Sequence, residues 1–121
     1  MERAQFIEYK GKKIFVLDFC NCKPTEMQPI INECALQVRS QPKKSVYTIT
    51  IATGAKYDLD VVEKLKQLTR EHEPYVIKSA VVGASGMQQV LLMIVSNFSN
   101  RKFEMFDDME KAKEFFASDR S

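Results

Sequence analysis

The chain has 121 residues and a mass of 13.9 kDa, the length of one domain with one hydrophobic core. Its 18 Lys and Arg against 16 Asp and Glu leave a net charge of +2, and the basic residues are scattered apart from Lys10, Lys12 and Lys13, which excludes a nucleic-acid footprint. The longest apolar run, residues 90–95, is far short of a membrane helix. No signal-peptide pattern follows Met1, and the cysteines are odd in number, so the expectation is a cytoplasmic protein with reduced thiols and no membrane insertion.

The first predicted unit is a hairpin. Residues 6–9 and 13–19 read as strands, with Lys10-Gly11-Lys12 as the turn between them. The second strand is apolar on both sides at Ile14, Phe15, Val16 and Leu17, the mark of a strand covered on both faces. A helix follows, with Thr25 and Gln28 as its capping box and Met27, Ile30, Ile31, Cys34, Ala35 and Val38 as its apolar stripe, ended by Pro42.

Residues 45–52 are rich in β-branched and aromatic side chains and predict a third strand, stopped at Thr53-Gly54. Asp58 and Asp60 open a second helix, where negative charge suits the dipole, and Val61, Val62, Leu65 and Leu68 form its stripe. His72 continues that stripe at the helix C-terminus, a position that favours the charged imidazole. Residues 75–82 predict a fourth strand at the centre of the sheet.

Between Ser79 and Asn100 there is no charged residue. After the Gly83-Ala84-Ser85-Gly86 turn, Ser85 caps a third helix with Gln88 as its capping-box partner. Met87, Val90, Leu91, Ile94, Val95 and Phe98 are expected to face inward, leaving Leu92 and Met93 on the flank as candidates for an interface. Residues 101–106 predict a last strand, and Asp107 caps a final helix with Met109, Ala112, Phe115 and Phe116 inward. Residues 117–121 are expected to fray. The order β-β-α-β-α-β-α-β-α predicts an α/β fold whose five-stranded mixed sheet begins with an antiparallel hairpin and is otherwise parallel.

No catalytic constellation emerges. Ser85 lacks the glycine two residues on that a hydrolase elbow requires, and the single histidine, His72, ends the preceding helix. Cys20-Asn21-Cys22 supplies two thiols where zinc wants four ligands, and Cys34 reads as core, so neither a metal nor an intramolecular disulfide is expected. Thr53 and Gly54, with Lys56 and Tyr57 beside them, stand at the strand edge where open α/β sheets place ligands. Ser85 and Gly86 open a helix, where an anion or a phosphoryl group would be favoured.

Tyr9-Lys-Gly-Lys-Lys-Ile-Phe-Val-Leu-Asp-Phe, Ser45-Val-Tyr-Thr-Ile-Thr, Thr53-Gly54 and Pro74-Tyr-Val-Ile-Lys-Ser-Ala-Val-Val-Gly83, taken in order, resemble the SpoIIAA-like STAS/SEC14 domain family. The resemblance runs from about Phe6 to Phe116. It implies the STAS-like βα superhelix as a single domain of four helices. Classical members of that family antagonise anti-sigma factors and are reversibly phosphorylated on a serine at the start of the helix after the third strand. The matching loop here is residues 52–58, where Ala52-Thr53 replaces the Asp-Ser pair and Thr53 becomes the phosphoacceptor candidate. The resulting expectation is a non-enzymatic regulatory or protein-interaction module without a cofactor, with an unidentified protein partner or a second copy. The alternative expectation is a carrier or sensor of a small apolar or anionic ligand, held at the strand C-terminal edge and the third helix.

Overall fold

The computed structural model describes residues 1–119. Five strands and four helices follow in the expected order: β1 (Ala4–Tyr9), β2 (Lys12–Asp18), α1 (Pro24–Arg39), β3 (Val46–Ile51), α2 (Leu59–Glu71), β4 (Val76–Val82), α3 (Met87–Ser99), β5 (Phe103–Phe106) and α4 (Met109–Ala117). The sheet order is β1-β2-β3-β4-β5, with β1 antiparallel to β2 and every later pair parallel. The centre is therefore β3, not β4 as the sequence suggested. Lys10 and Gly11 at the hairpin tip both take positive φ, which closes β1 tightly onto β2.

A parallel sheet that grows in one direction keeps its crossover helices on one face, because the crossovers share one hand. The packing shows this. Phe15 and Leu17 of β2 and Phe19 just after it meet the apolar stripes of α1 and α2, and Val95 of α3 joins the same core. The opposite face is covered by α4 alone, whose Ala112 and Phe116 pack on Ile14, Tyr47, Ile49, Ala80 and Val82. The doubly apolar β2 is thus buried on both sides.

Helix ends differ in detail from the sequence reading. In α1 the N-cap is Lys23, not Thr25, and its backbone N–H donates to Glu26 Oε1 at 2.8 Å, because Pro24 takes the first helical position where no amide donor is needed. In α4 the cap is Asp108 rather than Asp107, its carboxylate accepting from Lys111 N at 2.9 Å. Asp58 caps α2 as its position suggested, accepting from Val61 N at 2.8 Å.

The expected fraying does not extend to Asp119, which accepts from the Tyr47 hydroxyl at 2.6 Å and pairs with Lys78 at 2.9 Å. Arg120 and Ser121 lie outside the described residues. No helix among the described residues is long and apolar enough to cross a membrane.

Candidate functional site

The loops after β2, β3 and β4 meet at one edge of the sheet. Asn21 N donates to Thr53 O at 2.8 Å, Lys56 N to Cys22 O at 3.0 Å, and Ala52 N to Val82 O at 2.8 Å. Thr53 and Gly54 are exposed at the loop crest. Gly83 has φ +75°, and a Cβ there would overlap Thr53 Oγ1; Gly54 stands in the same relation to Asn21 Oδ1, with φ +66°. Thr53 thus touches the turn that leads into α3, and Thr53, Gly54, Ser85 and Gly86 share one edge, as the strand order requires.

That edge is laced shut rather than open. Gln88 Nε2 donates to Ala55 O at 2.7 Å while its Oε1 accepts from Ser85 N at 3.0 Å. Gln88 N and Gln89 N already donate to Ser85 O and Gly86 O. Gln88 therefore makes one arm of the expected capping box, but the N-cap is Gly86, and no side chain there accepts from the first turn. Much of the anion-binding capacity expected of this helix start is used within the fold. Lys56 is exposed, whereas the Tyr57 hydroxyl is buried without a hydrogen-bond partner among the described residues, and burial pushes its pKa up.

The tightness of this contact gives a direct expectation. Gly83→Ala places a Cβ in the left-handed region against Thr53, a change expected to cost about 1–2 kcal/mol from backbone strain alone. Adding Thr53→Ala should recover the steric part only. Urea unfolding of the two single variants and the double variant measures both terms, and additive losses would mean that the loops do not touch.

The third helix presents a different face from the one expected. Leu92, at 3% exposure, is buried against Ala52 and Val81, and Val95 and Ser99 are buried in line with it. Met87 at 69%, Val90, Ile94 and Phe98 at 44% face outward instead, with Met93 beside them. The interface expectation is corrected accordingly. Leu92 belongs to the interior, Met93 stays on the outer side, and the outer stripe consists of residues expected to be inside. Gln88, which donates to Ala55 O, lies on the same helix face as the buried Leu92, Val95 and Ser99. The apolar residues run so far round α3 that periodicity alone did not single out the buried arc.

Ser85 and His72 are not a catalytic pair. They flank β4 at opposite ends, roughly 20 Å apart along a seven-residue strand. His72, at 3% exposure, is the C-cap of α2, and its imidazole pKa is lowered to about 4 by burial and then by the Arg39 and Arg101 charges. The expected charged form at a helix C-terminus is thereby overturned, since desolvation exceeds the dipole effect. Cys34 is buried in the core and its thiol pKa is pushed far up by burial, while Cys22 accepts from Arg3 Nη1 at 3.1 Å. The cysteines are free, and no three His, Cys, Asp or Glu side chains among the described residues converge on a metal position.

No family model matches the chain. No curated protein and no solved structure matches it either.

Proposed function

We propose that this chain is a regulatory interaction module of STAS-like type, not an enzyme, that works by pairing with a second copy of itself through the outer face of α3. The observation that carries the reading is that face: Met87, Val90, Ile94 and Phe98 form an exposed apolar stripe on a helix with no charged residue. Contiguous exposed apolar surface of this kind marks interaction sites on folded proteins.

A second copy fits the stripe for two reasons. The first is charge. Lys66 and Arg70 of α2 lie over the Phe98 ring at 4.8 and 5.4 Å, so the basic end of α2 flanks the C-terminal end of α3. The exposed Asp58 and Asp60 flank the other end, while Glu63 pairs with Lys66 at 3.0 Å within the chain. Two copies packed with their α3 helices antiparallel bring the acidic end of each α2 against the basic end of the other. No charge is buried at the centre of such a pair.

The second reason is area. Five half-exposed apolar side chains offer roughly 400–500 Å² per chain, or about 900 Å² in a two-fold pair. Covering the rim of Leu59, Lys66, Arg70 and Gln89 as well brings the total toward the roughly 1,600 Å² of a standard interface. Two-fold closure is also the commonest arrangement of identical chains.

The STAS-like assignment draws on the order of elements with a lone antiparallel first strand, and on the sequence patterns that run through it. In this reading Thr53 is the position at which a phosphoryl group would act. It is exposed, and a group on its hydroxyl would separate its loop from the Gly83 turn that anchors α3.

Ile94→Glu with Phe98→Glu is expected to leave helical content unchanged, since both side chains face outward, and to convert a dimer into a monomer. Circular dichroism with size-exclusion light scattering checks both. A variant with the mass of the wild type would overturn the proposal.

A further inference from the structure

The opposite edge of the sheet, at the N-terminal ends of β4 and β5, holds a chamber that the sequence reading did not anticipate. It has a volume of about 40 Å³ and lies between the helix-covered face of the sheet and helices α2 and α3. Its walls are largely apolar, with Leu17, Leu65, Leu92, Val95 and Phe103 among them. The polar groups are few and gathered. Thr48 Oγ1 donates to Ser79 Oγ at 2.8 Å, both buried, with Thr50 next along β3. Thr69, His72 and Arg101 also line it.

Two of these groups lack partners. His72 Nε2 is buried and has no hydrogen-bond partner among the described residues, although the residue is 97% enclosed. Arg101 Nη2 is likewise buried and unpartnered, and Nη1 reaches only Val76 O, at 3.4 Å. No carboxylate among the described residues is paired with Arg101; Glu73, which lies nearest in effect, pairs with Lys44 at 3.4 Å. Arg101 as a whole is half-buried, but a guanidinium N–H enclosed without an acceptor is costly, and native folds rarely leave such donors unmet.

We propose that this chamber is a binding site for a small monocarboxylate of acetate to propionate size. Its carboxylate accepts from Arg101 and from His72 Nε2–H, and its alkyl end lies against Leu92 and Val95. Three features select that class. One half-buried cation, Arg101, matches one negative charge, whereas a phosphate dianion would leave charge uncompensated in a largely apolar setting. A planar carboxylate suits the guanidinium fork. The volume admits a molecule of a few heavy atoms, since one water alone needs roughly 10–15 Å³. A wider hollow of about 290 Å³ adjoins the chamber through Val76, Ser79 and Arg101; its rim lysines Lys44 and Lys102 are paired with Glu73 and Glu104 at 3.4 and 3.2 Å, so it offers an approach from solvent without a net cationic rim.

His72 is the only histidine in the chain, so its imidazole resonances are assigned without ambiguity. Sodium propionate titrated into the full chain at constant ionic strength is expected to shift them saturably in the millimolar range, with acetate similar and inorganic phosphate without effect. Arg101→Met is expected to weaken propionate at least about tenfold, the lower bound for losing a charged hydrogen bond. Thr50→Ile, which keeps the β-branched strand residue and Arg101, fills part of the chamber and should weaken propionate while the fold persists. The wild-type titration decides by itself. Linear, non-saturating shifts mean an adventitious ion only and overturn the proposal, as does phosphate binding as well as propionate.

Discussion

Phe116→Ala is expected to destabilise the protein by about 3–5 kcal/mol, the range for removing a fully buried phenyl group. Phe116 is completely enclosed, and its ring lies 4.7 Å from that of Tyr47. Its weight comes from architecture. Three crossover helices share one face of the sheet, so α4 alone keeps Ile14, Tyr47, Ile49 and Ala80 out of water. Total stability in a domain of this size is about 5–15 kcal/mol, so the loss is a large fraction of it. Urea unfolding measures the effect, and faster amide exchange in α4 and β4 than in α1 would locate it. A loss under about 1 kcal/mol would mean that something other than α4 holds that face together.

Stability is also expected to fall between pH 6.5 and about 4 because of one residue. His72 takes a proton near 6.5 when unfolded and near 4 when folded, lowered by burial and by Arg39 and Arg101. Between those values the unfolded chain binds more protons, so acidification favours unfolding. The contribution is complete above about pH 6.5 and is lost as pH falls to 4, by up to about 3 kcal/mol in all. Glu114, held low by its hydrogen bonds from Lys10 and Tyr9, contributes its own loss only below the ordinary carboxylate range near 4.5. The two windows are therefore separable. His72→Gln should flatten the denaturation midpoint between pH 7 and 5 while leaving the steeper fall at lower pH. An unchanged slope in that variant would assign the dependence to other groups.

The fold was legible because its signals are local. The Lys10-Gly11-Lys12 turn, the doubly apolar β2, the capped amphipathic α2 and the regular alternation of strands and helices each imply one element and one neighbour. Strand order was less accessible: β4 looks central by composition, but the steady advance of the crossovers places β3 there and leaves β4 beside the short β5. The edge around Thr53 and Gly83 was found where α/β topology puts it, yet its closure depends on Gln88 reaching Ala55, a contact between distant segments.

Among the readings that the structure corrects, those of α3 and His72 failed for physical reasons. In α3, residues 87–98 are apolar around most of the circumference, so the pattern could not separate the core arc of Leu92 and Val95 from the outer arc of Ile94 and Phe98. For His72, the helix dipole argued for a charged ring, but the enclosure by α1, α2 and the Arg101 loop exists only in three dimensions. One signal for the chamber was present in the sequence. Thr48, Thr50 and Ser79 put hydroxyls on the sheet face that alternation assigns to the core, and Arg101 enters just before β5.

The central claim is that the chain pairs through α3, and sedimentation equilibrium of the unmodified protein over a wide concentration range tests it most directly. The account predicts a mass approaching twice the 13.9 kDa of one chain as concentration rises, with dissociation shifted to higher concentration by salt through the paired acidic and basic ends of α2. A mass of one chain at every concentration would contradict it.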